Sequence, residues 1–438
     1  MNKTPSLFTD TRYYIAYRIT QRKGVFYVNQ IKESGVESGV KKSIWLLIVI
    51  LVSYFVVGFP DGAFTVSWLS IRYEPGFEGM TVAHTGYILV GYSITYTLAG
   101  VILAWLNRRM KLQTIYLWGL AIMGAGFVWL ALSPNFILAL AAITLYGFGT
   151  GIMASSMNSY MAKHYTSREN NWMHCSWGGG ASLSPIIMGG MIAAFSWRIG
   201  YFFITGILVV VGIMLLISMT KKIWVDDSEK QEDKSDSAES QVKNKYLTKK
   251  WHQGVEILTF FFLGGTDYTL VFFTGAALIA RGTHTFDDVI MFSAIYYVGM
   301  TTGRMFFGWT AKWLKEVPIE RIGIAVSLAG LAIVYFAGSI WGMALLGIGL
   351  GPLLPTLVSD SSNRFTPHIL SKIVGFELAA FGAGIAILFF ITSRVMYITD
   401  NYEMLFPFAL AFIVLVFICN EVLALALKKE QRKKVLKQ

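Results

Sequence analysis

Long apolar stretches recur along this chain, and about twelve of them reach the roughly 20 residues that a helix needs to cross a bilayer. They run approximately over 43–71, 84–106, 112–132, 136–162, 173–195, 198–220, 251–280, 288–313, 319–338, 340–359, 370–395 and 402–427. In hydrocarbon every backbone polar group must be satisfied within the structure, so only helices and closed barrels can span. The stretches are rich in Leu, Ile and Phe without period-2 alternation, which disfavours a barrel. The expected fold is therefore an all-α polytopic membrane protein of about twelve transmembrane helices.

Charge sorts by position once these spans are drawn. With both termini placed on the cytoplasmic side, outward connections hold only Arg72, Arg198, Arg281 and Arg394, and Arg304 alone falls within a span. The remaining Lys and Arg lie on inward connections and termini, and positive residues favour that side. The net charge of +11 thus reports topology and not a nucleic-acid partner, because no basic surface separate from the membrane flanks exists. An integral protein of a bacterial cytoplasmic membrane, acting as a monomer, is expected. Cys175 and Cys419 sit inside spans and offer neither a disulfide framework nor metal-ligand spacing, and no cofactor is expected. Residues 1–42 form a polar cytoplasmic segment in which 7–31, aromatic and basic, reads either as an amphipathic surface helix or as a disordered tail.

A second regularity is internal. Gly147-x-Gly149-x-Gly151 returns as Gly347-x-Gly349-x-Gly351, 200 positions later. Gly91, Gly100 and Trp105 pair with Gly299, Gly308 and Trp313 at an offset of 208, and Asp61 pairs with Asp267 at 206. Between the copies, segment 221–250 holds eight lysines and seven acids with almost no apolar residues, so it reads as a solvated cytoplasmic linker. The expected organisation is a six-helix half at 43–220, the linker, a second six-helix half at 251–427, and a basic tail at 428–438. Even span numbers make the halves parallel repeats, which places a binding site between them near mid-bilayer. The glycine triplets lie inside apolar helices and read as packing devices, not as a nucleotide-binding turn.

The chain resembles the major facilitator superfamily over 43–427. Its loop motif survives in decayed form as GVILAWLNRRMK (100–111) and GRMFFGWTAKWLK (303–315). Within it, YGFGTGIMASSMNSYMAKHYTSRENNWMHCSWGGGASLSP (146–185) and GFELAAFGAG (375–384) are similar to the fucose permease-like sugar:proton symporters. Asn158, His174, Trp177, Gly178 and Gly180 fit that group's pattern, whereas Glu377 stands where the group often has Gln. The resemblance also brings a departure: the acid that relatives often carry four residues before the Asn is Ala154 here, so another carboxylate would have to carry proton coupling.

Ionisable groups inside a span are costly and serve as functional candidates. Asp61, Asp267 and Glu377 are the three acids expected well inside, whereas Glu256 and Glu421 read as interfacial. Pro60, before Asp61, lacks an amide donor and predicts a broken first span. Pro352 and Pro355 predict a bend in the tenth. Asp61, Asp267, Glu377 and Asn158 are the candidates for proton coupling or substrate binding. Trp177, Tyr268, Tyr296, Tyr297 and His174 are candidate substrate contacts, and Arg304, Pro60, Pro352 and Pro355 are candidate gating residues. Glu377 is expected to pair with Arg304 or His174. At an offset of 200, Asn158 faces Val358, Trp177 faces Glu377 and His174 faces Val374, so function is expected where the symmetry breaks. The reading is a secondary active transporter of a small polar solute, a sugar first, coupled to protons by alternating access. A drug-exporting antiporter or an uncoupled facilitator on the same fold is the alternative. No enzyme motif is present.

Overall fold

The computed structural model describes residues 19–21, 24–26, 44–107, 109–165, 167–221, 223–224, 247, 249–311 and 313–435. Residues 1–42 form a unit of their own, in which two short strands, β1 (Ile19–Gln21) and β2 (Gly24–Phe26), pair antiparallel. A helix through this part of 7–31 is therefore not adopted; Ile19, Thr20, Val25 and Phe26 are β-branched or aromatic and favour the paired strands. Most of the expected linker lies outside the described residues.

Fourteen α-helices make up the described part of the second unit. They are α1 (Ile44–Val57), α2 (Phe59–Ile71), α3 (Val82–Leu106), α4 (Leu112–Leu132), α5 (Phe136–His164), α6 (Ser167–Ala194) and α7 (Trp197–Thr220). The second half supplies α8 (Lys250–Ala280), α9 (Phe286–Thr310), α10 (Glu316–Ala337), α11 (Ile340–Leu350), α12 (Leu353–Arg364), α13 (Pro367–Thr399) and α14 (Leu405–Val435). Helix α14 carries most of the expected basic tail as helix. The pairs α1/α2 and α11/α12 each form one span, Ile44–Ile71 and Ile340–Arg364, so twelve spans result. Ten satisfy a strict test of length and apolarity; α6 and α9 do not, because each carries polar residues through its length.

Both expected breaks occur. Pro60 sits in the first turn of α2, just after Gly58, and Pro352 caps α12. Neither break is idle. A side chain on Gly58 would strike the Trp177 carbonyl, so the kink seats the first span directly on the α6 backbone.

Glycine contacts confirm the repeat residue by residue. Gly147 and Gly151 press on the α3 backbone at Tyr92 and Tyr96, while Gly149 presses on α4 at Gly119 and Met123. In the second half Gly347 and Gly351 meet α9 at Tyr296 and Met300, and Gly349 meets α10 at Gly323 and Ser327. Small residues on opposite faces of one helix thus let two neighbours approach at once. The same contacts correct the register elsewhere. The Thr95 hydroxyl reaches the Thr144 carbonyl, and Gly299 lies against Ala344, so the second and eighth spans match at 204, one helical turn from the expected 208. Gly180 against Phe55 and Gly384 against Phe261 set 204 for the fifth and eleventh spans as well. Trp177 therefore corresponds to Phe381, not to Glu377, and His174 to Leu378.

The halves meet along two seams, α3 with α13 and α6 with α9, which the pseudo-symmetry exchanges. At the end away from the linker both seams are shut. Gly86 lies against Phe390 and Ser393, Tyr87 stacks edge-on against Phe390 at 5.3 Å, and Gly189 lies against Ile290. Toward the linker end the α3–α13 seam parts beyond Thr97 and Gly382. Nothing lies within 4 Å of the Gly375 side-chain position, and Val101, Trp105, Phe376 and Leu378 are exposed. The α3–α13 seam is closed at its far end and open at its linker end.

Candidate functional site

Midway along the seams lie polar side chains from both halves. Asp61, in the first turn of α2, is 6% exposed, although it lies within a span. The Tyr268 hydroxyl, from the opposite half, donates to its Oδ1 at 3.0 Å. Asp267, its repeat partner, accepts from the hydroxyl of Tyr296 on α9. The two carboxyl groups lie within electrostatic reach of one another.

Aromatic rings bind this pair into its surroundings. Tyr296 packs edge-on against Tyr297, and Tyr297 against Trp177 at 6.0 Å. Arg304 lies over the Trp177 ring, 5.0 Å from its centroid. On the first half, the Asn158 amide reaches the Tyr54 hydroxyl at 3.4 Å, and Tyr54 packs edge-on against His174. Asn158, His174, Trp177, Asp267, Tyr268 and Arg304 are all partly exposed, so they border space and not sealed core. Tyr296 and Tyr297 stand behind them, buried.

Arg304 and Pro355 turn out to be linked. Pro355 has no N–H, so the Gly351 carbonyl four residues earlier loses its helical partner. Arg304 Nε donates to that carbonyl at 3.0 Å. The guanidinium therefore repairs the broken tenth span and faces the central site with the rest of its surface.

One candidate is elsewhere. Glu377 meets neither Arg304 nor His174; it turns toward α12 and α8, where the Ser361 hydroxyl lies 2.7 Å from its Oε1. That face belongs to a buried ionic cluster around Arg364, fed by Glu256, Glu320, Asp360 and Asn420. Arg304 is thus not the only cation inside a span, and Glu256, near the linker end of α8, is fully buried in this cluster. Arg364 was hidden at a span end, where a charge next to Asn363 resembles a loop. Its one local signal is the spacing Asp360-x-x-x-Arg364, which places both on one helical face.

Twelve spans in two repeated halves, with a polar site on the seam between them, describe one transporter architecture. A family model for the Major Facilitator Superfamily matches residues 46–389. The chain belongs to the Major Facilitator Superfamily. Members of this superfamily are transporters, not enzymes, and this chain is one of them.

Solved structures of superfamily transporters share the fold. A bacterial homolog of the human lysosomal transporter Spinster, inward-facing and occupied, is 13% identical with a TM-score of 0.64, over 87% of this chain and 96% of that one. The peptide transporter POT in complex with sulfate is 14% identical with a TM-score of 0.66, covering 88% and 95%. FucP in the outward conformation is 13% identical with a TM-score of 0.58, covering 87% and 99%. No curated protein matches the sequence.

Proposed function

We propose that this chain is a proton-coupled secondary transporter of a small polar solute, a sugar being the first candidate class. The observation that carries the reading is the pair Asp61 and Asp267, matched by the repeat and contributed one by each half, each with a tyrosine hydroxyl on its carboxylate. An acid that is half-screened in one conformation and exposed to water in the other gains and loses a proton as the seams rock. Ala154, where relatives often carry an acid, is buried and apolar, so Asp267 takes over that share of coupling. Sugar hydroxyls would find partners in Asn158, the two carboxyls and Tyr268, with Trp177 and Tyr297 for the apolar ring faces. The asymmetry of Lys and Arg places the termini, the linker and the open end of the seam on the cytoplasmic side. Arg304, Pro60, Pro352 and Pro355 then form the flexing parts of the eighth, first and tenth spans.

A second reading has support in the same residues. Two acids among Trp177, Tyr268, Phe272 and Tyr297 also suit a cationic amphiphile, which would make the chain an antiporter for drug-like cations. Ligand-induced thermal stabilisation of the purified protein separates the two. Stabilisation by monosaccharides supports the sugar reading; stabilisation by cationic drugs alone reverses it.

A further inference from the structure

The Arg364 cluster lies at the linker end of the second half, apart from the central seam. Arg364, the last residue of α12, is fully buried. Its Nη1 lies 2.8 and 3.1 Å from the two carboxylate oxygens of Glu256 on α8. Its Nη2 lies 2.6 Å from Asp360 and 3.6 Å from Glu320 of α10, and donates to Asn420 of α14. Asn420 in turn donates to Glu320 at 2.7 Å. Glu377 of α13 joins through Ser361. Three carboxyl groups therefore lie against one guanidinium and a fourth joins through Ser361, with Glu256, Glu320 and Glu377 fully buried and Asp360 4% exposed.

That arithmetic does not balance with every acid ionised, and two details say where the missing protons sit. The Ser361 Oγ lies 2.7 Å from Glu377 Oε1, 3.1 Å from Glu256 Oε1 and 3.0 Å from the Leu357 carbonyl. A hydroxyl has one hydrogen to give. If both acids were ionised, three acceptors would compete for it. A proton on Glu377 turns the shortest of these contacts into a donation from Glu377 to the Ser361 oxygen. Independently, Glu377 Oε2 and Glu320 Oε1 are buried without any hydrogen-bond partner among the described residues. An ionised oxygen in that position is costly, and a neutral acid far less so.

We propose that the Arg364 cluster is a second proton-binding site, in which Glu377 holds a proton shared with Ser361 while Glu256 stays ionised against Arg364. Among the described residues, the charged and titratable groups around Glu377 are Glu256 from α8 with His252 one turn before it, Glu320 from α10, and Asp360 and Arg364 from α12. Helix α14 contributes the neutral Asn420, beside which Glu421 pairs with Arg321 of α10, and Glu430 near His252. Across the open seam, α3 presents Trp105, with Arg109 stacked over its ring at 4.5 Å. Phe376 and Leu378, which flank Glu377, are exposed while the linker end is open. This site stands apart from coupling at Asp61 and Asp267 and survives the failure of that reading.

Infrared spectra of the purified protein in alkyl maltoside micelles test it without any substrate. The wild type should show a carboxylic acid C=O band that shifts down in D2O. Glu377→Gln should lose part of that band, whereas Glu421→Gln, at a partly exposed acid paired directly with Arg321, should leave it intact. Ser361→Ala keeps every carboxyl and should move the band without removing it, which decides the matter even if Glu377→Gln fails to fold. A Glu377→Gln spectrum identical to wild type, or a band that Ser361→Ala does not move, overturns the proposal.

Discussion

Substituting Gly86 by Leu should push the molecule out of the conformation seen here. A Cβ at Gly86 would lie 2.5 Å from the Ser393 hydroxyl, 2.9 Å from Phe390 Cδ2 and 3.4 Å from the Phe390 Cα. The serine can rotate; the ring and the α13 backbone behind it cannot yield without parting the seam. Overpacking of this kind costs about 1–3 kcal/mol. The cost applies only while the far end is shut, because opening separates α3 from α13. Leucine also gains about 1 kcal/mol of helix propensity over glycine, but equally in both states, so it cancels. The net shift is then roughly 5- to 150-fold toward the state open at the far end. Ala386 reads it out, since it lies in the same seam one turn from Phe390 and is 8% exposed. With Cys175 and Cys419 replaced by serine, the rate at which a maleimide labels Ala386→Cys from the far side should rise by that factor. Gly190→Leu, with nothing within 4 Å of its side-chain position, is the control. A labelling rate unchanged by Gly86→Leu, or raised equally by the control, would refute the rocking of the halves about this seam.

Two further outcomes follow from the ion pairs. Arg364→Met leaves buried acids without their guanidinium and should cost about 3–5 kcal/mol. Arg321→Met removes a pair whose arginine is half exposed and should cost at most about 1 kcal/mol. Thermal unfolding in micelles should rank Arg364→Met far below Arg321→Met, and equal midpoints would contradict the buried cluster. At the far end, Glu74 pairs with Arg198 at 2.9 Å, and Arg281 pairs through two bonds with Glu403, which holds the Arg281 guanidinium more firmly protonated than usual. The repeat matches these pairs with their signs exchanged, and each lies within one half. Swapping Glu74 and Arg198 should therefore restore stability lost by either single substitution, about 0.5–1 kcal/mol, without altering the Ala386→Cys labelling rate.

Much of this architecture is legible in the chain because a bilayer imposes so simple a demand. Continuous apolar length identifies the twelve spans, although α6 and α9 carry polar residues through their length. Pro60 and Pro352 break their spans for a local reason, the missing amide, and local reasons are readable. The central residues are also legible, since Asp61, Asp267, Asn158 and Arg304 are expensive in hydrocarbon wherever they point. What the sequence hides is direction. Glu377 sits at a plausible depth for Arg304, yet its face of α13 turns toward Ser361, and a misjudged register of one helical turn is enough to assign it the wrong partner. Arg364 and Glu320 are obscured for a related reason: near a span end, a charge facing water and one facing four helices have the same local sequence. Five helices converge on Arg364, and no single stretch records that.

The central claim is that Asp61 and Asp267 couple protons to solute movement across the seam. Its most direct test is uptake into proteoliposomes of the solute that stabilises the purified protein, with and without a pH gradient. Asp61→Asn and Asp267→Asn should each abolish gradient-driven accumulation while preserving counterflow exchange. If both variants accumulate solute as the wild type does, the coupling role of the pair is wrong.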